Sequence, residues 1–277
     1  MPIDKINGVN LYWERTGEKS QPALLLVHGS WGDHHNWDRV VHELSKDFQV
    51  ITYDRRGHSH SERPPGQGSM EEDVEDLLAL IKFLGIAPLH LAGNSGGAAI
   101  SLKAVVKKPE LFKTLVIHEP PLFGVLKSNA EAQDMLRIVS SRIEAVVNLL
   151  GTGENEQAAK LFVDTIAFGP GGWDQLPLAA QQTFIFNAPT FLDENGDPGG
   201  LDIDLSSLSS FTNSALLSNG TQSPPFFLMT LDLIQQALPN VKRIKFDGAG
   251  HVPHLTHPVD YVEVISDFCL QNEKINA

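Results

Sequence analysis

Leu89-His90-Leu91-Ala92-Gly93-Asn94-Ser95-Gly96-Gly97-Ala98-Ala99-Ile100 is a short apolar run that meets Gly-x-Ser-x-Gly and continues into a helix-forming segment. The order predicts a strand, a sharp turn and a helix. A serine at such a turn has a strained backbone, and the residues two before and two after it must be small if strand and helix are to approach. Gly93 and Gly97 meet that need. Ser95 is therefore the candidate nucleophile. An ordinary glycine-rich turn could carry the same five residues, so the surroundings decide.

Toward the amino terminus, Ile3 to Glu14 reads as two strands around Asn7-Gly8, a dipeptide suited to the positive backbone angles of a hairpin. Ala23-Leu24-Leu25-Leu26-Val27 is a continuous apolar run of the kind buried on both faces of a sheet, and it ends at His28-Gly29-Ser30-Trp31-Gly32. Trp37, Val40, Val41 and Leu44 recur at helical spacing, Phe48 to Tyr53 restores a strand, and Asp54-Arg55-Arg56-Gly57-His58-Ser59 turns the chain. Met70 to Leu84 is an amphipathic helix whose first turn, Glu71-Glu72-Asp73, suits the positive end of the helix dipole. Beyond the opening stretch, Thr114-Leu115-Val116-Ile117-His118 is another buried strand, ending at Glu119-Pro120-Pro121. This alternation predicts an α/β fold, a mostly parallel doubly wound sheet with ligands meeting the loops at the carboxyl ends of its strands.

From Leu122 to Phe211 the alternation stops. Met135 to Leu150 and Ala158 to Ala167 read as amphipathic helices, each stopped by glycines. The aromatic segment with Trp173, Phe184, Phe186 and Phe191 is interrupted by Pro177, Pro189 and Pro198, and is expected to be irregular. Ala215-Leu216-Leu217, a helix around Phe226 to Leu238, the strand Val241 to Phe246 and a helix from Pro258 to Leu270 resume the plan. The expected organisation is a core of residues 1–121 and 212–277 with a helical insertion at 122–211.

A net charge of −13, from 21 Lys and Arg against 34 Asp and Glu, repels phosphate backbones and anionic membrane surfaces, so nucleic acid and membranes are not expected partners. Cys269 is the only cysteine, which excludes an intrachain disulfide, and it is expected on a packed helix face. Met1-Pro2-Ile3-Asp4-Lys5 lacks the pattern of a secretion signal and no run is long enough to span a membrane; the expectation is a cytoplasmic protein. His251, His254 and His257 recur every third residue, but the spacing turns successive rings away from a common face and Pro253 and Pro258 interrupt any helix. No metal is expected. Gly93 to Gly97 lacks both the phosphate-loop lysine and the dinucleotide fingerprint, so no cofactor is expected.

A neutral hydroxyl is a poor nucleophile, so Ser95 needs a histidine base, and the base needs a carboxylate to hold its tautomer. His251 has the best context among 11 histidines, in Gly248-Ala249-Gly250-His251 between a strand and the last helix. His28, His90 and His118 lie in or beside strand ends and are read as structural.

Together, His28-Gly29-Ser30-Trp31, Asp54 to Ser59, Gly93 to Gly97 and Gly250-His251 resemble the α/β-hydrolase fold family over nearly the whole chain. The resemblance implies an oxyanion site made by the backbone N–H groups of Ser30 and Gly96, and a cap formed by the insertion. In many members the acid stands in a Gly-Asp-x-Ser-Pro-Pro-like setting after the cap. Here Gly220-Thr221-Gln222-Ser223-Pro224-Pro225 puts Thr221 in that place, and threonine carries no charge. His118-Glu119-Pro120-Pro121 is similar to the acid motif of zearalenone-lactone hydrolases, which makes Glu119 the expected acid, ahead of Asp232 and Asp247. Trp31 and Trp173 are candidate substrate contacts, with core packing as the alternative for Trp173. The implied activity is hydrolysis of a small hydrophobic ester or lactone by Ser95, His251 and Glu119 through an acyl-enzyme. A carbon–carbon bond hydrolase, a cofactor-free perhydrolase and a non-catalytic capped binding protein are the alternatives.

Overall fold

The computed structural model describes residues 2–275; Met1, at the head of the segment read above as lacking a leader, lies outside the described residues. Strands β1 (Ile3–Ile6) and β2 (Val9–Thr16) form the expected hairpin, with Asn7 at φ 50° and Gly8 at φ 85°. Then follow β3 (Ala23–Val27), α1 (Asp38–Leu44), β4 (Gln49–Tyr53) and α2 (Met70–Leu84). Helix α2 begins because Ser69 and Glu72 complete a reciprocal capping box, and it ends where Gly85 turns left-handed at φ 63°. Strand β5 (Leu89–Asn94), helix α3 (Gly96–Lys107) and strand β6 (Phe112–His118) bring the chain to the insertion.

The insertion contains α4 (Gln133–Gly151), α5 (Asn155–Phe162), α6 (Gly172–Gln175), α7 (Leu178–Asn187) and α8 (Thr190–Gly196). The aromatic segment expected to be irregular is therefore largely helical. Pro177 and Pro189 are the reason: each stands at the N-cap of a helix, α7 and α8 respectively, where a proline interrupts no internal hydrogen bond. The second predicted helix is also modified, since α5 passes at Val163–Ala167 into a π-turn. Both ends of the segment 122–211 join the main core: Leu122, Leu208 and Phe211 are fully buried in the same cluster as β3 and β5. Strand β7 (Ser214–Gly220), α9 (Pro225–Ala237), β8 (Val241–Phe246), α10 (Pro253–Thr256) and α11 (Pro258–Ile275) complete the chain.

The strands form an eight-stranded sheet in the order β1-β2-β4-β3-β5-β6-β7-β8. Only the pairings of β1 with β2 and of β2 with β4 are antiparallel. Strands β3, β4 and β5 are buried along their whole length, as strands covered on both faces must be. One face packs on α2 and α3 through residues such as Leu77, Ile100 and Val105; the other packs on α1 and α11 through Val40, Leu44, Ile265 and Cys269. Among the described residues no helix is long and apolar enough to cross a membrane.

The approach of β5 and α3 leaves no room for side chains. A methyl group on Gly93 would lie 2.6 Å from Ser101 Oγ, and one on Gly97 would overlap the carbonyl oxygens of Val27 and His28. Gly97→Ala should therefore destabilise the fold by about 3 kcal/mol and lower its melting temperature by roughly 5–10 °C. Gly151→Ala, where an added methyl meets nothing within 4 Å, should leave the thermal melt unchanged.

Candidate active site

Ser95 stands between β5 and α3 at φ 54° and ψ −123°, outside the regions a serine ordinarily occupies. Its N–H donates to the carbonyl of His118, 2.9 Å away at the end of the neighbouring strand β6. The next residue, Glu119, also has positive φ, at 46°. Two strained residues thus sit side by side at the carboxyl edge of the sheet.

Glu119 is completely buried, and its side chain turns toward β7 and the loop after β8. Oε2 accepts from His251 Nδ1 at 2.7 Å, and Oε1 accepts the backbone N–H of Gly220 at 2.8 Å. Burial opposes ionisation of this carboxyl. The His251 hydrogen bond and the charges of His118 and His251 outweigh it and hold the group down at about 2. With Nδ1–H committed to Glu119, Nε2 is the basic nitrogen of His251. The ring is 7 % exposed and stacks on Phe227, with centroids 4.5 Å apart and planes at 14°. Asn94, the residue before Ser95, donates through Nδ2 to the His251 carbonyl at 3.0 Å and so ties the histidine loop to the serine turn.

The loop after β3 lies on the other side of Ser95. A methyl on Gly29 would be 3.0 Å from Ser95 Cβ, and one on Gly96 would be 3.2 Å from Ser30 N and 2.9 Å from Ser30 Oγ. The Ser30 and Gly96 backbones are therefore in close approach beside the serine. Gly96 opens α3, so its N–H is one of the donors that a helix leaves unused. His28 fixes the loop: Nδ1–H donates to the Gly29 carbonyl at 2.8 Å, and Nε2 accepts the Arg55 N–H at 3.0 Å. Burial lowers the His28 value to about 4, in keeping with a neutral ring.

Thr221 is exposed beyond β7; its hydroxyl donates to Asp247 at 3.3 Å and accepts the Gly248 N–H at 2.9 Å. Asp232 is exposed on α9 and pairs with Arg243. Neither aspartate approaches His251 in the way that Glu119 does. His90 bonds to Thr114 and Glu273, and His118 to Ser218. Trp31 is fully buried among Phe162, Phe184 and Phe191, and Trp173, 5 % exposed, belongs to the same cluster. Both tryptophans pack in one apolar cluster with Val146, Leu150, Ala158 and Val163 of the segment 122–211.

Two groupings of metal-ligand type occur among the described residues, His34–Asp54–His60 and His118–Glu119–His251. In each, the carboxylate already accepts hydrogen bonds on both oxygens. Asn94, Gly220 and Phe227 were not singled out in the sequence. Asn94 and Gly220 act through an amide and a backbone N–H, which carry no distinctive signal, and Phe227 reads as one aromatic of an ordinary apolar helix.

A carboxyl whose value in the fold lies below its ordinary value stabilises the fold when ionised. That contribution is complete above the ordinary carboxylate range and is lost as pH falls toward about 2. Denaturation of wild type and Glu119→Gln across this range should show a stability advantage for wild type, on the order of 3 kcal/mol, that shrinks between about pH 5 and pH 2. Parallel pH dependences would contradict the assignment of an ionised, buried Glu119.

The family model described as alpha/beta hydrolase fold matches residues 22–258. The chain is 30 % identical over 161 residues to the "Uncharacterized hydrolase YraK" of Bacillus subtilis, a match covering 56 % of this chain and 59 % of that protein, less than two thirds of its length. A thermophilic esterase from Thermogutta terrifontis superposes with a TM-score of 0.78 at 20 % identity over 98 % of this chain and 99 % of that one. Est816, described as an N-acyl homoserine lactone degrading enzyme, superposes with a TM-score of 0.73 at 19 % identity over 96 % of this chain and 100 % of that one. At such identities the two structures speak for the fold alone. With the family match running from the strand before the Ser30 loop to the start of the last helix, the chain belongs to the α/β-hydrolase fold family.

Proposed function

We propose that the protein is a serine hydrolase that cleaves a carboxylic ester or lactone through Ser95, His251 and Glu119. The observation that carries this reading is the 2.7 Å contact between His251 Nδ1 and Glu119 Oε2 at the same sheet edge as the strained Ser95 turn. In this reading His251 Nε2 takes the Ser95 hydroxyl proton as Oγ attacks the ester carbonyl. Glu119 remains ionised and stabilises the imidazolium that forms, without accepting the proton itself. The developing oxyanion accepts from the Ser30 and Gly96 N–H groups. His251 then protonates the leaving alcohol, and a water activated by the same nitrogen hydrolyses the acyl-enzyme.

The surroundings of His251 support an apolar substrate: Phe227 lies against its ring, with Phe226 and Phe123 behind. The helical insertion, residues 122–211, is assigned as the cap that roofs the site. A fold shared with an esterase and with a lactone-degrading enzyme agrees with an ester or lactone. Carbon–carbon bond hydrolysis and perhydrolysis would use the same serine turn; a substrate panel separates them from ester cleavage.

A fluorophosphonate probe should label Ser95 in the folded protein, and Ser95→Ala should abolish labelling. Failure of the wild-type protein to react would sink the proposal. On an activated ester, Glu119→Gln should lower kcat by about 10⁴-fold, as loss of the orienting acid does in other triads. Asp232→Asn and Asp247→Asn should stay near wild type, and the same steady-state assay reads all three.

A further inference from the structure

Glu194 belongs to α8 in the insertion, yet its side chain, 9 % exposed, reaches the loop that carries Ser30. One carboxylate oxygen accepts from Ser30 Oγ at 2.6 Å, and the other accepts from Arg55 Nη2 at 3.0 Å. Arg55 is 1 % exposed and also donates to Asp73 on α2, from Nε at 3.2 Å and from Nη2 at 2.7 Å. Ser30 is consequently wedged between two neighbours. Its backbone N and Oγ crowd Gly96 at the start of α3, and its hydroxyl is held from above by Glu194.

Buried charges of this kind are favourable only when assembled, because each loses water and must find its partners inside. If α8 lifts, Arg55 keeps Asp73 but loses Glu194, and Ser30 Oγ loses its charged acceptor. The Asp73–Arg55 pair would be sufficient if the cluster served only to neutralise the arginine. The Ser30 contact needs a different explanation. An N–H that stabilises an oxyanion must be aimed within a fraction of an ångström, and Ser30 sits on a loop whose following residue, Trp31, has φ 69°.

We propose that Glu194 is a positioning residue of the oxyanion site: its carboxylate grips the Ser30 hydroxyl and thereby aligns the Ser30 backbone N–H, so that this donor is in place only when the cap helix is docked on Arg55. The proposal rests on the reading of Ser30 N–H as an oxyanion donor. Cap docking and assembly of the oxyanion site are then one event. Glu194 touches no reacting atom, and its effect passes entirely through Ser30.

The test is steady-state ester hydrolysis by Glu194→Ala, Ser30→Ala, their double variant and Glu194→Gln. Each alanine variant should lower kcat by about tenfold to a hundredfold, the range expected for a misaligned donor, with KM little changed. The double variant should lose no more than the worse single one, because both remove the same contact. Glu194→Gln has one acceptor oxygen where Glu194 uses two, so it can serve Ser30 Oγ or Arg55 but not both, and its kcat should lie between those of Glu194→Ala and wild type. Wild-type kcat in Glu194→Ala, losses that multiply in the double variant, or a glutamine variant as slow as the alanine one would each overturn the proposal. Should Glu194→Ala fail to fold, Ser30→Ala decides, since an unchanged kcat there overturns the proposal as well. A wild-type protein with neither ester turnover nor Ser95 labelling overturns the hydrolase reading and this proposal together, whereas an active wild type with unaffected variants overturns this one alone.

Discussion

The hydrogen bond from Ser95 N–H to the His118 carbonyl is the contact on which the rest of the site depends. A serine at φ 54° returns to an ordinary conformation unless something holds it, and here the holder is the last residue of the adjacent strand. The bond can form only because Gly93 and Gly97 let α3 lie directly against β5 and β3. Asn94 and His118 are paired in register, so fixing the serine also fixes the point at which β6 ends. The residue that follows is Glu119, whose own positive φ swings the carboxylate across to β7. Ser95 and Glu119 are thus placed by one short piece of backbone.

Electrostatics decides the state of that acid. A buried carboxylate is unfavourable by itself, and Glu119 is completely buried. It is compensated by an imidazole N–H on one oxygen and a backbone N–H on the other. The backbone donor is Gly220, at the end of β7, one residue before the position where Thr221 stands in place of a carboxylate. This strand end contributes a backbone donor to the Glu119 carboxylate rather than a carboxylate of its own. Gly220 must be glycine, since an added methyl would overlap the Ala249 carbonyl of the histidine loop. Thr221, free of any role at His251, closes the turn to Asp247 and Gly248.

The insertion is attached to the core by polar contacts as well as by packing. Asn187 at the end of α7 is fully buried and donates to the carbonyls of Trp31 and Gly32, while Glu194 bonds Ser30 and Arg55. These contacts converge on the loop after β3, which is where the serine turn needs its neighbour. Burial drives the Glu194 carboxyl upward, and the adjacent Arg55 charge and the Ser30 hydroxyl counter it only in part. The helix α8 therefore carries a carboxylate into a place where it is tolerated only with its partners present.

The alternation of strands and helices, the hairpin at Asn7-Gly8, the serine turn and the histidine loop were all legible in the chain, because each rests on local chemistry: apolar runs for buried strands, glycines for close approach, and dipeptides suited to positive φ. The vacancy at Thr221 was legible only against the family resemblance, as a missing charge where many members carry an aspartate. The helices at 178–187 and 190–196 were not, since a proline that breaks a helix and one that begins it look alike without knowing which N–H groups are used. Nor were Asn94, Gly220, Phe227 and Glu194. Their importance lies in what the fold brings to them: Glu194 is remote from Ser30 in sequence and meets it only because α8 docks over the loop. Sequence by itself determined the parallel α/β plan and its chemically distinctive side chains. Tertiary structure alone decided which of them share a dry, hydrogen-bonded space, because burial and partnership are properties of the packed chain.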